Sequence, residues 1–324
     1  MALGARIDKP PLEVATFSEA QVRAHLDLDE LLDALERGFG DLATGAFQAP
    51  PRNEVMLPDG SFLLCMPGHR PGGPMAVKVV TVFDGNYDRG LPSHLATIAL
   101  YDPETGACLA FMDGTFITAI RTSAAAALST RLLARPDAAV LALVGAGVQG
   151  HHHLECFPRV RDFAEIRIAS NHAEDAEELA RRHTRAVAVD DVEAAVADAD
   201  VVALATHAAE PVIEAGWVRA GTHVTSVGYR PPRGELPVDL IARGTLFVEA
   251  PEAFEPVPVG CAELADVDRS TATTLGDVVA GRAPGRRSAD EITVYKAMGA
   301  VMEDLVAAEL VHAAGERHAS RLLL

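Results

Sequence analysis

The stretch Ala139-Val140-Leu141-Ala142-Leu143-Val144-Gly145-Ala146-Gly147-Val148-Gln149-Gly150 decides the fold. Its first six residues form an unbroken apolar run, which fits a parallel strand covered on both faces. The glycines that follow have the spacing GxGxxG and stand between that strand and a helix, the context in which this spacing gains specificity. Gly145 permits a tight turn, Gly147 lets the backbone approach a pyrophosphate, and Gly150 lets helix and strand pack closely. The free N–H groups and the positive dipole end of the helix then face the phosphates. Gly145, Ala146, Gly147, Val148, Gln149 and Gly150 thus read as a nicotinamide-dinucleotide turn. The competing reading is a glycine turn that binds nothing.

Downstream of the turn, strand-like runs at 165–169, 186–189, 201–205, 223–227 and 246–248 alternate with helical patterns at 173–183 and 192–199. That alternation predicts an α/β, Rossmann-type, doubly wound parallel sheet. Upstream the grammar differs. Runs at 62–66, 75–82 and 95–101 lead into the turn Asp102-Pro103-Glu104-Thr105-Gly106 and a return strand at 107–112, as in hairpins. Two helices are expected near Ser18 and Asp27. This part reads as an α+β unit with an antiparallel or mixed sheet. An Ala- and Leu-rich helix over 115–134, ended by Pro136, bridges the two parts. A helical pattern over 291–315 returns to the first. The division expected is 1–124 with 306–324 as one domain and 125–305 as the dinucleotide domain.

Bulk properties narrow the partners. A chain of 324 residues exceeds what one core usually fills. A net charge of −18 repels nucleic acid and anionic lipid, so neither is an expected partner. Cys65, Cys108, Cys156 and Cys261 are far apart and form no CxxC pair, which fits a reducing, cytoplasmic setting without a disulfide framework. The opening residues Met1-Ala2-Leu3-Gly4-Ala5-Arg6 do not read as a signal peptide. His151, His152 and His153 are adjacent on a helix and point in different directions, so no metal site is expected. His69 reads as a surface-loop residue or a second acid/base group. After the second strand of the dinucleotide unit stand Ser170, Asn171 and His172, where an acid would hold a ribose 2′-OH. With no acid there, the reading leans to NADP(H) while leaving NAD(H) open.

The sequence resembles the ornithine cyclodeaminase/μ-crystallin family over nearly its whole length. The resemblance rests on Pro51-Arg52, Val77-Lys78-Val79-Val80 with Asn86, Ile117-Thr118-Ala119-Ile120-Arg121-Thr122-Ser123-Ala124, the glycine turn, Ala205-Thr206 with Pro211-Val212, and Glu291-Ile292-Thr293-Val294 with Gly299 and Asp304. It implies a homodimer whose first domain holds the substrate and the dimer interface. It also implies hydride transfer between a nicotinamide and the C–N bond of a small amino or imino acid. Arg52, Lys78 and Arg121 match the family's carboxylate-binding cations. The physical reading agrees: Arg holds a carboxylate bidentately, and a lysine within an apolar strand has a lowered pKa suited to moving a proton. Lys78 is the expected catalytic residue, with Arg52 and Arg121 on the substrate. Met66 and Tyr229, with Leu63 and Cys65, are candidates for the pocket lining. Thr206, Val227 and Gly228 match the nicotinamide side of the cofactor site. Lys296 reads as a charge near the cofactor or an exposed helix lysine.

The chain departs from ornithine cyclodeaminases proper. Residues 227–236 contain no Asp, and the strand at 62–66 contains no Glu, so both acids that would handle an ω-ammonium are missing. The resemblance is therefore closer to the ketimine reductase and alanine dehydrogenase-like branch. A net NAD(P)-dependent oxidoreductase is the expected activity. The alternatives are a redox-neutral cyclodeamination and a μ-crystallin-like protein that binds NADP(H) and a small ligand without turnover.

Overall fold

The computed structural model describes residues 11–324, so the reading of the opening residues Met1 to Arg6 lies outside the described residues. Two sheets organise the chain. The eight-stranded one runs in the order Thr273–Thr274, Thr245–Val248, Thr293–Lys296, His223–Ser226, Val201–Leu204, Val140–Val144, Glu165–Ala169, Ala186–Ala188. Every neighbouring pair is parallel. The chain leaves Val140–Val144 to one side, then returns to Val201–Leu204 on the other. The glycine turn therefore sits at the switch point, where ligands of such sheets bind. Leu141, Ala142 and Leu143 are fully buried, as the unbroken apolar run demands.

The second sheet has seven strands in the order Ser320–Leu323, Glu13–Phe17, Cys108–Asp113, His94–Tyr101, Met75–Val82, Phe62–His69, Asn53–Met56. It is antiparallel except where Glu13–Phe17 runs alongside Cys108–Asp113. The two-residue period separates its faces. Leu64, Met66, Ala76, Lys78, Val80 and Ile98 point inward and are buried. Cross-strand register puts Met66 opposite Lys78 and Lys78 opposite Ile98. The helix Val301–Gly315 packs on that inner face, against the strands that carry Met66 and Lys78.

The helix Thr115–Leu133 lies between the sheets and is buried on almost every side, which fits its apolar residues all round. Its polar residues tie the two parts together. Ser123 Oγ contacts Gln149 and His153 of the dinucleotide helix, and Ser129 Oγ contacts His223 Nε2 in the parallel sheet. His223 also meets Thr293 Oγ1, and burial pushes its pKa down to about 3, so it stays neutral.

The helix expected over 291–315 is corrected. Thr293–Lys296 is a buried strand of the parallel sheet, and the helix begins at Val301. Two β-branched residues and a tyrosine favour the strand, and Ile292 and Val294 satisfy a two-residue period as readily as a helical one. Gly299, at φ +84°, separates the two elements. Among the described residues, no helix is long and apolar enough to cross a membrane.

Candidate active site

Three cations meet in the cleft between the sheets. Lys78 projects from the inner face of the seven-stranded sheet, and its Nζ lies 2.5 Å from Asp304 Oδ2. Arg121, from the interposed helix, donates through Nε to Asp304 Oδ1 at 3.0 Å and through Nη1 to Glu303. Glu303 and Asp304 occupy the first turn of Val301–Gly315, where the helix dipole favours carboxylates. Arg52, just before Asn53–Met56, donates through Nη2 to the Gly299 carbonyl at 3.2 Å. Lys78 and Arg121 are 2% and 3% exposed, so their charges persist only because they are paired. Burial lowers the Lys78 pKa to about 8, against the pull of Asp304. Burial also opposes the Arg121 charge, but Asp304, Glu303 and Glu249 outweigh it and raise its pKa.

A third carboxyl group completes this cluster. Glu249, just beyond Thr245–Val248, accepts from Tyr295 OH at 3.2 Å and from the backbone N–H groups of Met298 and Gly299. It therefore fixes the loop whose carbonyl holds Arg52. Burial, followed by the neighbouring Glu249 charge, raises the Glu303 pKa far above the carboxylate range. A buried carboxyl group held that far above its ordinary range is neutral. Three cations thus face two negative charges, a surplus of one positive charge. Gly299 is required here for two reasons: its φ is positive, and a Cβ would stand 3.0 Å from Arg121 Nη2.

The glycine turn fits a dinucleotide. Gly145 has φ +113°, and a Cβ on it would press against the Ala205 carbonyl at 2.4 Å. A Cβ on Gly150 would collide with the Gly145 carbonyl at 2.2 Å, whereas one on Gly147 would meet no protein atom within 4 Å. Gly147 therefore borders open space where a phosphate can reach the backbone. It also caps the helix Val148–Val160 without a side-chain acceptor, leaving the first-turn N–H groups for a ligand. Beyond the second strand, Ser170 is half-buried and Asn171 and His172 are exposed, with Ser170 Oγ accepting from the His172 N–H at 3.4 Å.

At the C-terminal ends of the neighbouring strands, Thr206 follows Val201–Leu204, and Val227 and Gly228 follow His223–Ser226. A residue that sequence reasoning passed over joins them. Glu235, fully buried, accepts from Thr206 N and Oγ1 on one carboxylate oxygen and from Ser226 Oγ, Val227 N and Gly228 N on the other. Its distance from the strand in sequence hid it: it lies in the same 227–236 segment that lacks Asp, and only the turn brings it back. Lys296 is not an exposed helix lysine. It ends a buried strand and donates to Ser226 Oγ, the Gly228 carbonyl and Glu263 Oε1 at 3.0, 2.6 and 2.8 Å. Burial opposes its charge, but the neighbouring Glu263 and Glu235 outweigh that and raise its pKa.

Of the pocket-lining candidates, Met66 shares the Lys78 face, and Tyr229 is half-buried, its pKa raised to about 12 by burial, with Arg52 opposing. Leu63 and Cys65 have the opposite strand parity and point to the outer face, as does His69, whose Nδ1 meets the Pro74 carbonyl. None of these three joins Lys78. His94 does share the Lys78 face; burial, then His207, lowers its pKa to about 4, so it is neutral. His152 contacts Glu155, and His153 contacts Ser123 and the Gln149 carbonyl. No cluster of three or more potential metal ligands is present among the described residues.

The profile of the ornithine cyclodeaminase/mu-crystallin family matches residues 13–318. The chain belongs to this family. The ketimine reductase mu-crystallin of Mus musculus is 36% identical over 309 residues, covering 92% of this chain and 96% of that protein. The Δ1-pyrroline-2-carboxylate reductase of Thermococcus litoralis, solved with NADH and L-proline, superposes with a TM-score of 0.89 at 32% identity, covering 96% of this chain and 100% of the other. An archaeal alanine dehydrogenase dimer with bound NAD gives a TM-score of 0.89 at 29% identity, covering 96% and 99%.

Proposed function

We propose that this chain, an NAD(P)-dependent oxidoreductase of the C–N bond of small amino and imino acids, clamps its substrate's carboxylate between Arg52 and Arg121 and moves the nitrogen's proton through Lys78. The observation that carries the reading is the surplus positive charge of the buried cluster beside a glycine turn that fits a dinucleotide. An α-carboxylate brings the one negative charge that the cluster lacks. Arg121 has Nε and Nη1 committed to carboxylates, and Arg52 has Nη2 on the Gly299 carbonyl, which leaves N–H groups of both for the substrate. Lys78, with a pKa of about 8, can protonate an imine nitrogen or take the proton back from an amine. The reduced nicotinamide, when bound, supplies the hydride to the imine carbon. Burial of the cluster excludes water that would hydrolyse the imine.

The domain of residues 1–124 with 306–324 supplies the cations of the substrate site, and the domain of 125–305 supplies the cofactor site and the carboxylates that pair with those cations. Gly145, Ala146, Gly147, Val148, Gln149 and Gly150 hold the pyrophosphate, with Thr206, Val227 and Gly228 at the nicotinamide. Ser170, Asn171 and His172 favour NADP(H), since no acid there repels a 2′-phosphate. A homodimer forms through the seven-stranded sheet, whose strands leave Val55, Met56, Leu95 and Phe111 exposed; the archaeal relative solved as a dimer supports this. The four free cysteines fit a cytoplasmic setting.

The test is to follow the absorbance of NADPH and of NADH with preformed cyclic ketimines and with 2-oxo acids plus amines, while L-ornithine is assayed for ammonia. Imine-dependent oxidation of the cofactor is expected. Ammonia from ornithine without net cofactor change would replace this reading with cyclodeamination, and cofactor binding without any turnover would leave a binding protein.

A further inference from the structure

We propose that the buried trio Glu235, Glu263 and Lys296 places a net negative charge beneath the nicotinamide, favouring the oxidised, cationic ring over the neutral reduced one and so driving the cofactor toward hydride donation. The inference rests on the cofactor reading above. Its geometric basis is the sheet. With the pyrophosphate at the turn after Val140–Val144, the nicotinamide half extends over the C-terminal ends of Val201–Leu204 and His223–Ser226. Those ends continue into Thr206 and Val227-Gly228, the groups that Glu235 and Lys296 hold.

The charge of each member follows from its partners. Glu235 accepts from three backbone N–H groups and two hydroxyls, a donor shell that suits a carboxylate. Lys296 has three acceptors around Nζ, matching the three hydrogens of an ammonium. Glu263 receives one of them and is the second carboxylate. Cys261, beside them, is a neutral thiol, since burial pushes its pKa to about 12. Two negative charges and one positive leave one negative charge, and all three side chains are at most 4% exposed. Arg52 and Glu249, which also act on Cys261, carry opposite charges and offset each other, while Arg230 and Arg233 are exposed and screened by solvent.

The reaction moves charge in the matching direction. Hydride leaves the dihydronicotinamide ring with its electron pair and forms the new C–H bond, while the C=N π pair becomes the lone pair on nitrogen. The ring passes from neutral to +1, and the iminium from +1 to a neutral amine. One unit of positive charge thus travels from the cationic cluster, already neutralised by the substrate carboxylate, toward the anionic trio. A fixed charge close to the ring and shielded from water acts on that transfer without reorganising.

The test is calorimetric titration of the full chain with the oxidised and the reduced cofactor, without substrate. Glu235→Gln removes the net charge and leaves the Lys296–Glu263 pair intact. The ratio Kd(reduced)/Kd(oxidised) should fall about tenfold, as for one charge at short range in a partly polar medium. The double variant Lys296→Met with Glu263→Gln removes a neutral pair and retains the net charge, so its ratio should stay within about twofold of wild type. A purely structural role would weaken both cofactor forms together in both variants. An unchanged ratio in Glu235→Gln overturns the proposal. If that variant does not fold, the same substitution is made on the double-variant background and compared with the double variant. Failure of the wild type to bind either cofactor form would instead remove the cofactor reading itself.

Discussion

The cleft has two buried charged regions, and they are built differently. The cationic cluster gathers Lys78 from one sheet, Arg121 from the interposed helix, Arg52 from a loop, and Glu249, Glu303 and Asp304 from the far side of the chain. It exists only when both parts of the molecule are assembled, and it is one negative charge short. The anionic trio is local to the parallel sheet and its returning turns, with both oxygens of Glu235 and all three hydrogens of Lys296 partnered. The first region waits for a diffusing ligand to complete it; the second holds a backbone turn and a field in place before any ligand arrives. Recognition and preorganisation are thus assigned to different charges, and variants in each should fail differently.

The largest expected effect comes from breaking the cationic side. Arg121→Ala should lower kcat/KM about a thousandfold, the scale for losing a buried charged hydrogen-bonding group at a reacting site. Cofactor Kd, measured by titration without substrate, should stay within about threefold, because Arg121 is held by Glu303 and Asp304 rather than at the glycine turn. A parallel collapse of cofactor affinity would show that the two regions act as one unit.

The difference between the regions also explains what the sequence made legible. The parallel sheet and its glycine turn were readable because their signals are contiguous: an apolar run, three glycines, and alternation with helices. Arg52, Lys78 and Arg121 were readable through resemblance and through the oddity of a lysine in an apolar strand. Their carboxylate partners were harder. Asp304 stood within a recognised stretch, but Glu249 and Glu303 look like ordinary surface acids in sequence, and only tertiary folding buries them against Arg121. Glu235 and Lys296 were obscured for another reason. The two-residue and helical periods coincide over 291–298, so Lys296 read as a helix residue, and its burial depends on a strand that pairs with residues far away in sequence. Short strands such as Glu13–Phe17 and Ser320–Leu323 carry too few residues to announce themselves.

A second, smaller effect sharpens the role of the cluster's own proton donor. Lys78 has a folded-state pKa of about 8, below its ordinary value because burial disfavours its charge. Reduction of an imine needs Lys78 protonated, so kcat for reduction should be level below pH 8 and fall about tenfold per pH unit above it. Amine oxidation needs the neutral amine and should show the opposite limb, rising toward pH 8 and then levelling. If both directions shared one limb, the titrating group would lie on the cofactor side instead. Stability follows the same shift: between the folded pKa and the higher unfolded one, the unfolded chain binds more protons, so Lys78 contributes an increase in stability as pH rises from about 8 to about 10.5.

The smallest expected effect is the most discriminating. Burial and the neighbouring Glu249 charge raise the Glu303 pKa far above the carboxylate range. Glu249 accepts from Tyr295 and two backbone N–H groups, so it is the carboxylate. Glu303 is the neutral acid, and its Oε2 accepts from Arg121. A glutamine in place of Glu303 reproduces that pattern, neutral and with its carbonyl toward Arg121. Glu303→Gln should therefore keep kcat/KM within about threefold and change unfolding free energy by less than about 1 kcal/mol. Glu249→Gln turns an amide toward backbone donors and leaves the surrounding cations short of a partner. It should cost about 3 kcal/mol in denaturant unfolding and raise KM through the loop that carries the Gly299 carbonyl. Equal losses in the two variants would place a full negative charge on each carboxyl group. The cluster would then be neutral, and the positive surplus that distinguishes it from the anionic trio would vanish.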